Sequence, residues 1–218
     1  MYDGRMRAIH VPIKENSERV ADKVFASLGG STILDSFFAM LRTLEASVFI
    51  DSSSEAIGSK AKESGFTWLR RSRELDSNLT TGNHLLERCV GQIQAKLLCQ
   101  AHITSPFLRP ETIERGFSQL EASSSGSLVA VREIRNRVWF RNKAVNHDPL
   151  SLAPTQALEP VFEEANLYFV RRAAFIQHKR RVTQDFDTMV ISDQEAFDID
   201  TPEDLEFARF IARKSSGP

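Results

Sequence analysis

The sequence is poor in cysteine, in long apolar runs and in net charge, and each shortage excludes a class of protein. Its 218 residues include two cysteines, Cys89 and Cys99, which are too few for a scaffold held together by disulfides. Both lie in apolar stretches and are predicted to be buried thiols. No apolar run approaches the ~18 residues of a membrane-spanning helix. The net charge of −1 disfavours bulk binding of nucleic acid or another polyanion.

The composition therefore predicts an ordinary globular protein that binds neither a membrane nor a nucleic acid. The first residues, 1–5, are not followed by the apolar region of a signal peptide, so we expect a cytoplasmic protein. The length suits one large domain that buries a substantial core. We therefore predict a single domain over residues 1–218.

Strand and helix patterns alternate through the first 131 residues. Apolar runs predict strands and 3.6-residue spacing predicts helices, the first of which begins at Ile33 after the turn and cap at 29–32. This alternation predicts a doubly wound, mostly parallel α/β sheet of the Rossmann-like type, with helices on both faces. The predicted strands are 6–13, 47–51, 66–69, 97–103 and 128–131, and the other predicted helices are 55–63, 85–93 and one that begins at Pro110.

The pattern changes in the segment 135–161, which contains no convincing helix. It holds Trp139 and Phe140, three prolines and a polar turn at 142–143, which together predict a hairpin on an extended arm that projects from the sheet. Exposed aromatic side chains on such an arm favour a dimer contact. The alternative is that they pack back on their own domain. Strands are then predicted at 166–170, 189–191 and 196–200, followed by a last helix.

Two aspartates two residues apart, Asp198 and Asp200, precede that last helix. Thr201 suits its N-cap, Pro202 its first position and Asp204 the acid of a capping box. On a strand, Asp198 and Asp200 would point to the same side, where their hard oxygen ligands favour Mg²⁺. The alternative is that these acids only favour the positive end of the helix.

Three polar segments are expected to meet at one edge of the sheet. In an open α/β sheet, ligands bind beyond the carboxyl ends of the strands, and 14–23, 100–106 and 198–200 all follow predicted strands or end them. The first segment is basic and rich in hydroxyls, so it suits phosphates. The last is acidic and suits a metal, so together they predict a nucleotide site with Mg²⁺. The short basic clusters 70–73 and 179–181 are predicted to be solvated faces.

Four segments carry recognisable motifs, in this order along the chain. Residues 11–20 read Val-Pro-Ile-Lys-Glu-Asn-Ser-Glu-Arg-Val, 104–108 begin Thr-Ser-Pro, 166–169 read Asn-Leu-Tyr-Phe, and 197–205 contain Asp-Ile-Asp. Together they resemble the sugar-acid cytidylyltransferase family, which includes acylneuraminate (CMP-sialic acid) synthetases and CMP-Kdo synthetases. The first resembles its Pro-Ile-Lys-x-Asn-Ser-Glu-Arg-Val signature and the second its Thr-Ser-Pro segment, while the third lies where the family has an Asn-Gly strand and the fourth matches its Asp-x-Asp motif. The resemblance covers nearly the whole chain and implies the nucleotidyltransferase type of fold.

The resemblance also implies an activity, which is transfer of CMP from CTP to the hydroxyl of a 2-keto sugar acid with release of pyrophosphate. The 135–161 arm would form a homodimer, and Asp198 and Asp200 would hold Mg²⁺. The residues implied to bind CTP are Lys14, Asn16, Ser17, Arg19, Lys23 and Gln100, of which Lys14, Arg19 and Lys23 are the catalytic candidates. Those implied to bind the acidic acceptor are His102, Thr104, Ser105, Gln156 and Asn166.

The chain departs from the family pattern on both sides of the site. Glu18 stands at a lysine position, Val24 at an asparagine position and Thr155 at an arginine position beside Gln156. Changes on the acceptor side leave open a different acidic acceptor, such as a phosphonate. Changes on the nucleotide side leave open the alternative that the protein is a non-catalytic dimeric homologue that keeps the fold. For His102, metal binding, donation to the substrate and burial all remain open.

Overall fold

A seven-stranded sheet forms the centre of the protein, in a computed structural model that describes residues 6–14, 20, 22–151 and 153–215. The order of its strands is β11-β7-β10-β6-β1-β4-β5, and two small hairpins, β2–β3 and β8–β9, lie outside it. The strands are β1 (Arg7–Pro12), β2 (Ser27–Leu28), β3 (Ser31–Thr32), β4 (Ser47–Ser52), β5 (Thr67–Arg70), β6 (Leu97–Ala101), β7 (Ser127–Ile134), β8 (Trp139–Phe140), β9 (Lys143–Ala144), β10 (Val161–Arg171) and β11 (Phe186–Val190).

The predicted, mostly parallel sheet is confirmed. Strand β1 lies between β4 and β6 and is parallel to both, with His10 opposite Gln100 of β6 and Phe49 of β4. Strand β10 runs antiparallel to its neighbours β6 and β7. Because β1, β4 and β6 are buried on both faces, they have near-continuous apolar sequences, which is typical of the centre of a parallel sheet.

Helices cover both faces of the sheet, as a doubly wound fold requires. Side chains alternate along β1, so that Ile9 packs in one apolar cluster with α1, α2, α4 and α7, whereas Ala8 packs in a second cluster with α3 and α5. The helices are α1 (Ile33–Leu41), α2 (Glu55–Glu63), α3 (Gly82–Cys89), α4 (Pro110–Ala122), α5 (Arg172–His178), α6 (Asp193–Ala196) and α7 (Pro202–Ser215).

Local signals place the predicted helices, although the one predicted at 85–93 is shifted and spans Gly82–Cys89. The side chain of Thr32 accepts a hydrogen bond from the backbone N–H of Asp35 and caps α1. At α7, the hydroxyl of Thr201 accepts from the N–H of Asp204 at 3.2 Å, while the Asp204 carboxylate accepts from the N–H of Thr201 at 2.8 Å. The predicted capping box is therefore present. Both cysteines are buried, as predicted. Among the described residues, no helix is both long and apolar enough to cross a membrane.

The predicted strand at 196–200 is wrong. Helix α6 ends at Ala196, and residues 197–200 belong to no regular element. The backbone N–H of Ile199 donates to the carbonyl oxygen of Thr104 at 2.9 Å, so this segment attaches to the loop after β6 instead of adding a strand. Ile199 is fully buried, which fixes the position of the aspartate on either side of it.

The predicted hairpin within 135–161 is present as β8 and β9. Its two turn residues, Arg141 and Asn142, both have positive φ angles, 46° and 62°, as in the tight turn that suits two twisted strands. The side chain of Asn146 ties the hairpin to the rest of the segment, because it accepts from the N–H of Val138 and donates to the carbonyl of Glu159. Trp139 and Phe140 are 55% and 64% exposed.

Candidate active site

A large cavity lies beyond the carboxyl ends of β1, β5 and β6. Its volume is about 670 Å³, within the usual size range of small-molecule sites. All three polar segments predicted to meet there contribute to its wall. The cavity is lined by Pro12, Lys14, Lys23, Val24, Arg71, Asp76, Asn78, Thr80, Gly82, Leu85, His102, Ile103, Thr104, Asn166, Asp198 and Asp200.

The cationic part of the wall comes from the segment after β1. The ammonium of Lys14 donates to the carbonyl of Ser77 at 3.2 Å and to Asn78 Oδ1 at 3.4 Å. Lys23 begins a 3₁₀ helix, Lys23–Phe25, and is buried. The other predicted nucleotide-binding residues of this segment, Asn16, Ser17 and Arg19, lie outside the residues that the structure describes.

The acidic part of the wall is formed by Asp198 and Asp200. The ammonium of Lys23 donates to the carbonyl of Ile199, between the two aspartates, and lies 4.0 Å from Asp200 Oδ1. The backbone N–H of Asp200 donates to the Asp204 carboxylate at 3.0 Å. One buried cation and one helix cap therefore fix the backbone from which both carboxylates reach the cavity.

These two carboxylates fit a magnesium ion. Both reach one cavity and supply the hard oxygen ligands that Mg²⁺ prefers. Phosphate oxygens of a bound nucleotide would complete the coordination. Lys23, which lies beside Asp200, also suits a nucleotide, because it adds positive charge where the phosphate groups would bind.

A row of hydrogen-bonded side chains lies beneath the cavity, on the sheet face that α3 covers. Gln100 and His10 are opposite each other on β6 and β1, and Gln100 Nε2 lies 3.0 Å from His10 Nδ1. His10 Nε2 lies 3.1 Å from Asp51 Oδ2. Burial lowers the pKa of His10, although the neighbouring Asp51 opposes that shift. Gln100, predicted to contact the nucleotide, is buried and belongs to this row, and it is not among the residues that line the cavity.

Asp51 is the acceptor at which this row ends. Its carboxylate also lies 3.4 Å from Arg71 Nη1 and 2.7 Å from Arg88 Nη2. Burial raises the pKa of Asp51, but the hydrogen bond from His10 and the two guanidinium groups outweigh it and hold this pKa below its usual value. Because each of these partners is a donor or a cation, Asp51 is ionised.

The same neighbours argue against a second metal site there. His10, Asp51 and Cys89 are buried, and one ligand atom from each lies within 4.8 Å of the others. Burial raises the pKa of Cys89 to about 12, so its thiol keeps its proton. Two guanidinium groups already neutralise Asp51. A cation would gain little from this cluster and would be repelled by both arginines.

The prediction that both basic clusters are solvated faces is wrong for one residue of each. The Arg71 side chain is fully buried and donates to the carbonyls of Ile13 and Asp51, at 3.0 Å and 2.5 Å, and to Asp76 at 2.7 Å. Arg71 also lines the cavity. Arg181 is half-buried, with its guanidinium 3.7 Å from the centre of the Tyr168 ring.

Arg181 joins the buried row to a second histidine. Its guanidinium donates to Gln100 Oε1, and its Nη1 lies 3.3 Å from His102 Nε2. Burial, together with the charge of Arg181, lowers the pKa of His102 to about 3. His102 directly follows β6, is partly buried and lines the cavity, a position from which donation to a substrate stays a prediction.

The other residues predicted to bind the acceptor are divided. Thr104 and Asn166 line the cavity. Ser105 is buried, and its hydroxyl has no hydrogen-bond partner within the described part of the chain. Gln156 is exposed, in the 3₁₀ helix Thr155–Ala157, and is not among the cavity-lining residues.

Sequence reasoning missed Asp51, Arg71, Asn78 and Arg181. Asp51 ends a predicted strand and Arg71 lies two residues beyond another, so the ligand-binding edge of a parallel sheet was a usable signal for both. No local sequence pattern identifies Arg181 as a site residue. Its neighbours belong to β6, to the residue after β6 and to β10, which are far away in the sequence.

Several solved structures have the same fold. The structure of CMP:2-keto-3-deoxy-manno-octonic acid synthetase complexed with CTP has a TM-score of 0.71 and 12% identity, over 96% of this chain and 99% of that one. The 2-C-methyl-D-erythritol 4-phosphate cytidylyltransferase of Thermus thermophilus has a TM-score of 0.64 and 16% identity, over 94% and 98% of the two chains. At these identities the likeness shows the fold.

A third similar structure is the 4-diphosphocytidyl-2C-methyl-D-erythritol synthase of Anaerococcus prevotii. Its TM-score is 0.65 at 12% identity, over 97% of this chain and 100% of that one. No curated protein matches the sequence significantly.

The family model described as Cytidylyltransferase matches residues 8–215. The match begins within β1 and ends with α7, so it includes every wall of the cavity described above. This agrees with the resemblance inferred from the four sequence motifs and with the shared fold of the solved structures. The chain belongs to the cytidylyltransferase family.

Proposed function

We propose that this cytidylyltransferase transfers CMP from CTP to a hydroxyl group of a 2-keto sugar acid and releases pyrophosphate. One observation carries the proposal: Lys14, Lys23, Asp198 and Asp200 line the same cavity. Two cations and two carboxylates on one wall suit a triphosphate and the metal ion that accompanies it.

Strand β1, which ends two residues before Lys14, lies between β6 and β4 in the sheet. On one side of it, Arg71 of the cavity wall comes directly after β5, whereas on the other side His102 comes directly after β6 and Asn166 belongs to β10. We assign the β5 side to the cytidine and the β6 side to the acceptor. In this arrangement, the α-phosphorus lies between the acceptor hydroxyl and the departing pyrophosphate.

The side chains of this site position the reactants and neutralise charge. The acceptor hydroxyl attacks the α-phosphorus and a new oxygen–phosphorus bond forms. The bond from the α-phosphorus to the bridging oxygen breaks, pyrophosphate leaves with the electron pair, and the hydroxyl proton passes to solvent. Lys14 and Lys23 stabilise the negative charge that accumulates on the phosphates. Asp198 and Asp200 would hold Mg²⁺, which when bound would polarise the α-phosphate and lower the pKa of the attacking hydroxyl. Catalysis of this kind depends mostly on orientation and electrostatics.

We also propose a homodimer formed through the 135–161 arm of a single-domain protein. Trp139 and Phe140 project 55% and 64% of their surfaces to solvent from a hairpin that the Asn146 side chain holds in place. A rigid hairpin that exposes aromatic side chains suits a protein interface. Light scattering should give a mass of two chains, and of one chain for the double variant Trp139→Ser, Phe140→Ser.

Pyrophosphate release tests the activity. Purified protein is incubated with CTP, Mg²⁺ and a panel of 2-keto sugar acids, phosphonates and 2-C-methyl-D-erythritol 4-phosphate. Release with a sugar acid supports the proposal, and it should disappear in Asp198→Asn and Asp200→Asn but persist in Asp193→Asn, an exposed acid of α6. Release with a phosphonate or with the phosphate ester instead would assign a different acceptor. If no pyrophosphate is released and no CTP binds, the alternative of a non-catalytic homologue is supported instead.

A further inference from the structure

The guanidinium of Arg181 is held in place from several directions. Its Cζ atom lies 3.7 Å from the centre of the Tyr168 ring, and the backbone N–H of Arg181 donates to Asn83 Oδ1 at 3.0 Å. The side chain bonds to Gln100 Oε1 and lies 3.3 Å from His102 Nε2. The cation cannot rotate away from His102 without leaving the aromatic ring and the amide at the same time.

The direction of the bond to His102 follows from the chemistry of arginine. A guanidinium keeps its proton at physiological pH and offers only donors. His102 Nε2 must therefore accept, and the proton of the neutral ring must lie on Nδ1. Among the residues that the structure describes, no hydrogen-bond partner of Nδ1 is found, while the ring lines the cavity beside Asn166.

We propose that Arg181 is a positioning residue that fixes the Nδ1–H tautomer of His102, so that His102 presents one neutral donor to an oxygen atom of the acceptor. The tautomer follows from the geometry alone, whereas the contact with the acceptor rests on the proposed function. The inference deepens that function, because it makes the β6 side of the cavity a site for an acceptor oxygen.

The surroundings of His102 keep the ring neutral. Burial and the positive charge of Arg181 lower its pKa to about 3, and His10 contributes in the same direction. Tyr168 lies edge-on to the ring, 6.3 Å between centroids, and its hydroxyl donates to Glu164. Since the Nε2 lone pair faces a guanidinium, this nitrogen is also closed to a metal ion, which argues against His102 as an additional Mg²⁺ ligand through Nε2.

The same reasoning gives His10 the opposite tautomer. Gln100 Oε1 accepts from Arg181, so the Gln100 amide nitrogen donates, to His10 Nδ1 at 3.0 Å and to the carbonyl of Gly82 at 3.0 Å. His10 Nε2–H then donates to the ionised Asp51. Asp51 enforces this tautomer whether or not Arg181 is present, which makes His10 an internal control.

Long-range ¹H–¹⁵N correlation spectra of the ligand-free protein, labelled with ¹⁵N-histidine, test the tautomers near pH 7. The variant His102→Asn assigns the His102 signals. We expect Nδ1–H for His102 and Nε2–H for His10 in the unchanged protein. In Arg181→Met, His102 should lose its Nδ1–H preference, whereas His10 should keep its tautomer and so report that the fold is intact. Arg181→Lys retains a donor and should restore the His102 pattern.

Two results would overturn the positioning role. One is Nε2–H or a cationic ring for His102 in the unchanged protein, which needs no variant to fold. The other is a His102 spectrum of Arg181→Met identical to that of the unchanged protein.

Steady-state kinetics with CTP, Mg²⁺ and 2-keto-3-deoxy-octonate test the contact with the acceptor. Loss of one oriented hydrogen bond should raise the acceptor KM of Arg181→Met by roughly 10-fold, with the CTP KM little changed. An equal rise in both KM values would overturn the contact. If the expected tautomers are found but no acceptor reacts, the proposed function fails and the tautomer assignment stands, so the two failures are distinguishable.

Discussion

The ammonium of Lys23 donates a hydrogen bond to the carbonyl oxygen of Ile199, the residue between Asp198 and Asp200. These residues are far apart in the sequence, yet the contact brings a buried cation within 4.0 Å of the Asp200 carboxylate. Lys23 therefore has two functions in this account. It holds the acidic segment in place and, under the proposed function, it supplies positive charge to the phosphates of CTP.

Replacing Lys23 by methionine, which keeps the apolar stem, should remove both functions. We expect kcat/KM for CTP to fall about 100-fold or more, the usual loss when one preorganised donor is removed from a transition state. Steady-state pyrophosphate release is the measurement. Lys60→Met is the matched control, because Lys60 pairs with Asp35 at the surface. Activity of Lys23→Met within a few-fold of the unchanged protein would contradict this function of Lys23.

Gly82 provides the space that Arg181 occupies. A Cβ atom at this position would lie 2.3 Å from Arg181 Nη1 and 2.6 Å from Gln100 Oε1. Gly82→Ala should therefore displace the guanidinium from His102 and destabilise the fold by about 1–3 kcal/mol. We expect the acceptor KM to rise more than the CTP KM.

The control for this change is Gly91→Ala, since a Cβ atom at Gly91 meets nothing within 4 Å. Urea denaturation and steady-state kinetics of both variants give the comparison. If Gly82→Ala behaves like Gly91→Ala in stability and in acceptor KM, then Gly82 is not needed for the placement of Arg181.

Much of the fold could be predicted from the sequence, because its signals are local. The apolar run of β1, the exact bounds of α2 and the capping box at Thr201 depend on neighbours within a few residues. The segment 197–200 was misassigned as a strand because its apolar residues resemble one. A contact between Ile199 and Thr104 decides its conformation, and no local pattern reveals that contact.

The charged residues of the candidate site could be predicted from their residue types. The residues whose positions depend on packing against distant parts of the chain could not. The basic segment after β1 and the family resemblance indicated Lys14 and Lys23, and the spacing of two carboxylates before a helix indicated Asp198 and Asp200. All four line the cavity. Arg71 and Arg181 were taken for surface cations because each lies in a short basic cluster. Their burial depends on Asp51 and Tyr168 from other strands, which is tertiary information.

The buried His10 and the partly buried His102 should make stability depend on pH. The pKa values of His10 and His102 are both lowered from 6.5, that of His102 to about 3. Below pH 6.5 the unfolded chain therefore binds protons that the folded protein does not, so the free energy of unfolding falls as the pH falls. Each histidine contributes a slope of at most about 1.4 kcal/mol per pH unit.

Urea denaturation between pH 7.5 and pH 5 measures this slope. Asp35, whose pKa is lowered from 3.8 by its bonds to Lys60 and Thr32, stays ionised over this range and adds nothing to it. His102→Gln should reduce the slope by about half, because one of the two histidines no longer titrates in the unfolded chain. Stability that is constant or increases towards pH 5 would show that these rings are protonated in the folded protein.

Thermal denaturation with CTP and Mg²⁺ tests most directly whether one cavity binds a nucleoside triphosphate through its lysines and paired aspartates. At a CTP concentration about 100 times Kd, binding stabilises the folded state by about 2.7 kcal/mol, which for a chain of this length raises Tm by about 5–10 °C. We predict this shift with CTP and Mg²⁺ in the unchanged protein and in Asp193→Asn, and a much smaller one in Asp200→Asn. An unchanged Tm in the presence of CTP and Mg²⁺ would contradict CTP binding. An equal shift in Asp200→Asn would contradict the contribution of the paired aspartates to that binding.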